Sequence, residues 1–260
     1  MRFHCRTGFG IFCVLALATG AQAQDLTAHD WSGVYLGASI GGVGGSGKVE
    51  ATTSDGFVGS YFTSPDPEQI AATVAGPLSQ WRATGGVFAG YGQQWDNLYL
   101  AVEGSANSLS FDGSRSSGAV YLSNPDGQFT HRLSATADWQ ATVRARLGLA
   151  QDRWLGYVTG GAAVTRIKLD ATFADDFLGA GAAGHSASDD TVLGFVLGSG
   201  GEYALNDRWT ARVEYLYADY GKVSTSSVVT NPAFPVFSND LDTSFRFRTH
   251  TISVGLHHRF

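Results

Sequence analysis

The chain is short of cysteine, methionine and charge. Of its 260 residues two are cysteine, one is methionine, six are proline and 15% are charged. Both cysteines, Cys5 and Cys13, sit close to the N-terminus. Past them no thiol, disulfide or cysteine-ligated metal can enter the chemistry. Past residue 23 no apolar run approaches the roughly 20 residues that a membrane-crossing helix needs, which excludes insertion as a helix bundle. Basic residues are also scarce, 17 against 23 acidic, for a net charge of −6. Such a chain lacks the basic face that nucleic-acid binding requires.

Glycine is abundant, at 34 residues, and aromatic residues make up 12%. Close strand approaches and tight curvature use glycine in this way. The N-terminus reads as an export signal: Arg2 and Arg6 are cationic, Gly8 to Ala18 is apolar, and Ala21-Gln22-Ala23 has the small-x-small form of a cleavage site. Residues 1–23 are therefore expected to be a signal peptide, with a mature domain over 24–260. Loss of Arg2 and Arg6 would leave that domain at −8.

Period-2 alternation, the mark of strands with two unlike faces, recurs along the mature chain. Strands are expected near 31–40, 85–95, 98–105, 139–149, 154–168, 191–205, 209–217 and up to Phe260. The fifth has the least defined register, because Gly160-Gly161-Ala162-Ala163 blurs its alternation. Three short turns, at Asp96-Asn97, Asp152-Arg153 and Asn206-Asp207, alternate with stretches read as long loops near 48–80, 111–132, 170–190 and 221–242. Tight turns on one side and long loops on the other fit an all-β, eight-stranded antiparallel up-and-down transmembrane barrel in the cell outer membrane. Trp95, Trp154 and Trp209 adjoin the three short turns, and Trp31 and Phe260 are placed at the same level, so an aromatic girdle at the periplasmic interface is expected.

Alternation alone does not decide which face is buried. One face carries Val34, Leu36, Leu98, Leu100, Val143, Leu147, Val213 and Leu256; the other carries Glu103, Arg144, Arg146, Glu202, Arg212 and Glu214. An arginine facing lipid near mid-membrane costs roughly 2–4 kcal/mol, whereas three carboxylates and three guanidiniums inside a narrow barrel can pair. The apolar face is therefore assigned to lipid and the charged face to the lumen. A lumen of eight strands is just wide enough for side chains to fill, so no sizeable open pore is expected.

The last strand, His250 to Phe260, resembles the C-terminal strand of Gram-negative outer-membrane proteins, and Trp31-Ser32-Gly33-Val34-Tyr35-Leu36-Gly37 is similar to the opening of the small outer-membrane surface-antigen family, the porin family or OmpA-like barrels. Val213-Glu214-Tyr215-Leu216-Tyr217 with Asp219, Thr159-Gly160-Gly161 and Glu202-Tyr203 match further motifs of that family. The resemblance implies that Phe260 is part of the signal read by the barrel-assembly machinery. It also implies a structural and surface-interacting role in envelope integrity and host contact, and in some members haemin binding. A two-domain arrangement with a peptidoglycan-binding domain is not expected.

The expected partners are outer-membrane lipid, the assembly machinery and a host or haemin ligand at the external loops; no resident cofactor or metal is implied. A haemin receptor or narrow channel is the alternative, and an enzyme acting on lipid A or peptide comes third. His131, His185 and His250 are the candidate haem ligands, with His131 and His185 placed in loops. Asp175-Asp176, His185 and Asp189-Asp190 crowd the third loop, where a divalent cation is a second candidate. No nucleophile elbow or metal-ligand spacing supports catalysis. His257 and His258 face opposite sides of their strand and cannot chelate one metal together.

Overall fold

Alternating side chains run through eight stretches of 20 to 24 residues. A computed structural model describes residues 29–54, 57–177 and 181–260. The expected signal peptide, its cleavage site and both cysteines lie outside the described residues. The strands are β1 (Gly33–Thr53), β2 (Gly76–Trp95), β3 (Leu98–Val120), β4 (Gln128–Gln151), β5 (Trp154–Asp175), β6 (Ala183–Ala204), β7 (Trp209–Thr230) and β8 (Ser238–Arg259), with one helix, α1 (Asp66–Val74), between β1 and β2. Each strand pairs antiparallel with the next, and β8 closes on β1, so the sheet is a complete barrel in meander order. Closure removes the sheet edges that lipid could not satisfy.

The strands are about twice as long as expected. A tilted strand crosses the hydrocarbon layer in about 9–11 residues, so roughly half of each strand stands beyond it, a projection of about 30 Å. Three of the stretches read as long loops, 111–132, 170–190 and 221–242, are mostly strand, whereas 48–80 gives only its two ends to β1 and β2. The external connections shrink to residues 54–75, which contain α1, 121–127, 176–182 and 231–237.

The two halves of the barrel have opposite polarity. Near the short turns Val34, Leu36, Leu100, Val143, Leu147, Val213, Val254 and Leu256 are exposed, while the lumen is ionic. In the outer half the greasy side chains move inside. On β5 the exposed Val158 gives way to exposed Arg166, Lys168 and Asp170, and Ile167, Leu169 and Phe173 are buried. On β8 the exposed Ile252 and Val254 give way to exposed Arg246 and Asp242, with Phe245 and Phe247 buried. The physical cause is the change of solvent: hydrocarbon surrounds one half and water the other, so the wall facing out must be apolar in the first and polar in the second.

The outer interior is a packed hydrophobic cluster that includes Val43, Val49, Leu109, Phe111, Phe129, Leu133, Ile167, Phe173, Val223, Phe245 and Phe247. The 54–75 segment closes it from above, burying Phe62, Ile70 and Val74. Phe62 meets Phe173 edge-on at 5.6 Å, and Phe111 lies 5.1 Å from Phe247. β2 and β3 pair only from Trp95↔Leu98 to Gly86↔Asn107. Beyond that, side chains join them: Thr84 Oγ1 donates to the Ser108 carbonyl (2.6 Å) and the Asp112 amide donates to Gln80 Oε1 (3.0 Å), while Arg115 on β3 ties down the end of α1 by donating to the carbonyls of Val74 and Ala75 (3.3 Å each).

Candidate functional site

The strand register brings all six charged lumen residues together. Glu103 on β3 lies directly opposite Arg144 on β4, and Glu202 on β6 opposite Arg212 on β7. Glu103 is the hub. Arg212 donates to both of its oxygens (2.8 and 2.9 Å), Arg146 donates to Oε2 (3.2 Å), and Arg144 also donates to it. Arg144 reaches Glu214 Oε2 at 3.0 Å, Arg212 also pairs with Glu214, and Arg146 pairs with Glu202. All six side chains are at most 5% exposed. Three unit charges of each sign cancel, which is the condition under which charge can be buried at all.

Two tyrosines join this network. Tyr35 Oη donates to Glu103 Oε2 at 2.9 Å, and Tyr157 Oη donates to Glu214 Oε1 at 2.8 Å. The Arg146 guanidinium lies 3.7 Å from the Tyr157 ring centre. Neither ring would fit beside a side chain on the neighbouring strand: a Cβ on Gly90 would come within 2.4 Å of the Tyr35 hydroxyl, and one on Gly200 within 2.4 Å of the Tyr157 hydroxyl. The sequence reading passed over both tyrosines, although their alternation parity is that of the buried charges. The space left beside the network, next to Ser39, Phe88, Ser105 and Arg144, is about 10 Å³, at most the room of a single water.

The lipid-facing girdle holds Trp95, Trp154, Trp209 and Phe260, which are exposed. Trp154 packs on Tyr203 (4.7 Å), and Trp209 on His258 (5.1 Å), which in turn meets Phe260 (4.7 Å). Trp31 does not join them, contrary to expectation. It is fully buried in the periplasmic mouth, its carbonyl accepting from Arg259 and its amide donating to Gln94 Oε1 (2.9 Å). Trp31 shares the parity of buried Tyr35, opposite to that of exposed Val34 and Leu36, so the alternation continued back from β1 turns it into the lumen. Exposed Trp81 and Trp139 mark the opposite, outer end of the apolar band.

The external mouth holds a cavity of about 400 Å³ lined by Tyr61, Phe62, Asp66, Tyr121, Ser123 and Phe177, among others. Asp175 accepts from Tyr61 Oη (3.0 Å) and Tyr121 Oη (2.9 Å), fixing both rings. Burial pushes the Tyr61 phenol up to about 12, helped by the nearby Asp175 carboxylate. Asp66 is 6% exposed; its Oδ2 accepts from the Thr63 amide (3.3 Å), and its Oδ1 has no partner. Apart from Asp175 these residues carry no signal in the sequence: Tyr61, Phe62 and Asp66 lie in the segment from 48 to 80, which has no sustained period, and Tyr121, Ser123 and Phe177 lie in the connections 121–127 and 176–182.

The histidine and acid candidates are dispersed. His131 is inside β4, not in a loop; it is buried, with Nε2 3.0 Å from Thr243 Oγ1. His185 lies on the outer wall of β6, 3.8 Å from Asp170, and His250 Nδ1 faces Tyr215 Oη at 2.8 Å on the lipid side. Asp189 is held bidentately by Arg166 (2.5 and 2.6 Å), and Asp175 serves the tyrosines. Among the described residues no three His, Cys, Asp or Glu side chains converge as a metal site.

The family described as outer membrane protein beta-barrel domain matches residues 11–260. The chain is 33% identical over 252 residues to the 31 kDa outer-membrane immunogenic protein of Brucella melitensis, covering 95% of this chain and 91% of that one. It is 27% identical to the 25 kDa outer-membrane immunogenic protein of Brucella abortus, over 92% and 84% of the two chains. Among solved structures it is similar to the outer membrane protein OprG from Pseudomonas aeruginosa, at 13% identity and a TM-score of 0.44, covering 91% of this chain and 100% of that one.

Proposed function

This chain belongs to the outer-membrane protein β-barrel domain family, and on that premise we propose that it is a non-enzymatic surface protein that carries a ligand-contacting mouth on a rigid stalk. The observation that carries this reading is the inversion of polarity halfway up the strands. It lets the barrel continue as a packed, water-surrounded tube and holds the mouth about 30 Å above the hydrocarbon. Function on a rigid scaffold concentrates in such connections.

The mouth cavity supports binding rather than chemistry. Its aromatic rings offer faces to a cation, and the free oxygen of Asp66 asks for a donor. An amine or guanidinium on a host macromolecule meets both demands. The hydroxyls of Thr63 and Ser123 have no histidine beside them among the residues lining the cavity, so the nucleophile–base pair that hydrolysis needs is missing there. The names of the Brucella relatives, immunogenic proteins, agree with a domain whose outer half is open to antibodies.

The test is to fill the cavity from its rim. Ser123→Trp is expected to abolish adhesion of cells displaying the barrel to host-cell monolayers while leaving its heat-dependent gel shift intact. Unchanged adhesion would rule out the mouth as the contact. Planar-bilayer recordings are expected to show no stable steps, because the lumen network leaves no room for a water column; large steps would favour the channel reading.

A further inference from the structure

One part of the outer wall has cations without enough anions. The ladder between β7 and β8 sets Lys222 opposite Arg246, and the ladder between β8 and β1 sets Lys48 opposite the same Arg246. Three positive side chains thus stand in one row across three neighbouring strands. Facing positions bring Cβ atoms to about 5 Å, and like charges placed so destabilise a sheet. Arg248 stands one step nearer the membrane, opposite Asp219.

Two carboxylates answer these four cations. Asp219 Oδ2 accepts from Arg246 (2.9 Å) and Arg248 (3.0 Å), while Glu50 lies 2.8 Å from Lys48 and 3.9 Å from Lys222. Two positive charges remain unmatched in the group. By contrast, Arg166 at a similar height on β5 is held by Asp189 through two hydrogen bonds, and Lys168 stands directly opposite the same carboxylate. The four cations rim a groove of about 640 Å³ whose floor is made of small residues: Ser46, Gly47, Gly76, Pro77 and Ser244. A surplus of charge around a groove with no bulk in it leaves room for an anion.

The groove's height identifies the anion. On the same strands, the next outward residues toward the membrane are His250 and Ile252 on β8, Tyr217 and Tyr215 on β7, and Gly44, Gly42 and Ile40 on β1, where the Trp81 ring lies over the two glycines. Trp81, Ile252, Tyr215 and Ile40 are exposed. The cations therefore stand where hydrocarbon ends and headgroups begin, the level at which basic side chains meet anionic lipid. We infer that this groove binds the phosphate groups of an outer-leaflet glycolipid, with Lys222, Arg246 and Lys48 as the phosphate contacts and the Trp81 face against the acyl region. The inference rests on the outer-membrane setting and not on the mouth cavity, so either can fail alone.

The experiment is native mass spectrometry of the refolded full-length mature barrel in detergent, with bisphosphorylated lipid A, dephosphorylated lipid A or inorganic phosphate added. The wild-type barrel should retain a single bisphosphorylated lipid and release the dephosphorylated one. The K48Q/K222Q/R246Q variant should weaken retention by about a hundredfold, at roughly a factor of five per charge near a membrane surface. R166Q should bind like wild type. Equal retention of the dephosphorylated lipid overturns the assignment without any variant being needed, as does full retention by the triple variant. Inorganic phosphate binding as tightly as the lipid would make the groove a free-anion site and refute the headgroup as its source. Heat-dependent gel mobility confirms that each variant is folded, and all the substituted side chains point outward, away from the packed interior.

Discussion

Arg212 on β7 grips both carboxylate oxygens of Glu103 on β3, reaching straight across the lumen at 2.8 and 2.9 Å. This contact ties opposite walls of the barrel together, and Glu103 also serves Arg144, Arg146 and Tyr35.

Removing the Glu103 charge should therefore be expensive. Glu103→Gln keeps the shape and leaves three buried guanidiniums facing two carboxylates. A loss of about 3–5 kcal/mol is expected, the range for breaking a buried pair from one side. Urea unfolding in lipid vesicles measures it. The double variant E103Q/R212Q restores the charge balance and should be more stable than the sum of the two single effects implies.

Phe247 tests the outer half by itself. It is fully buried and packs on Phe111, Phe245 and Tyr220. Phe247→Ala should cost about 3–5 kcal/mol through the cavity it leaves. The loss should fall on the part of the barrel above the membrane. Limited proteolysis should cut the outer strands while the segments from the short turns to mid-barrel stay protected; uniform digestion would mean that the two halves unfold as one.

The tryptophans should separate by depth and by side. In barrels retaining one tryptophan at a time, brominated acyl chains should quench Trp95, Trp154 and Trp209 near one interface and Trp81 and Trp139 near the other. Trp31, enclosed in the mouth, should escape quenching. Strong quenching of Trp31 would return it to the girdle.

Alkali should loosen the mouth. Tyr61 ionises near 12 in the folded protein against 10.0 for a free phenol. A raised folded value means that this contribution to stability is complete below pH 10 and is lost as pH rises toward 12. Phenolate absorbance should show one tyrosine fewer titrating late in Tyr61→Phe than in wild type.

The membrane half of the barrel was legible in the sequence because its alternation has one sense: Val213, Tyr215 and Tyr217 against Arg212 and Glu214, with the short turns and tryptophans marking the ends. The charge cluster followed from the same parity. The outer half was missed for a definite reason. Its strands alternate as clearly, in Arg166-Ile167-Lys168-Leu169-Asp170 and in Phe245-Arg246-Phe247-Arg248, but with the apolar set on the other face. A reading that expects greasy residues outside sees the pattern break and assigns a loop. One-residue irregularities between β3 and β4 near Leu109 and between β7 and β8 near Gly221 compound the difficulty. The cation row was hidden more deeply, since Lys48, Lys222 and Arg246 lie far apart in the chain and meet only through register. The mouth cavity depends on the packing of the 54–75 segment, which no local period announces.

The inverted stalk also bears on immunisation with short peptides. In the folded protein the segment from Arg166 to Phe173 displays Arg166, Lys168, Asp170 and Thr172, and hides Ile167, Leu169, Ala171 and Phe173. A free peptide of the same sequence shows every side chain, and its large apolar ones invite the tightest antibody contacts. Sera raised on such a peptide will be directed largely at groups that an intact cell never presents, whereas the refolded barrel offers only every second residue, in the spacing a bacterium shows.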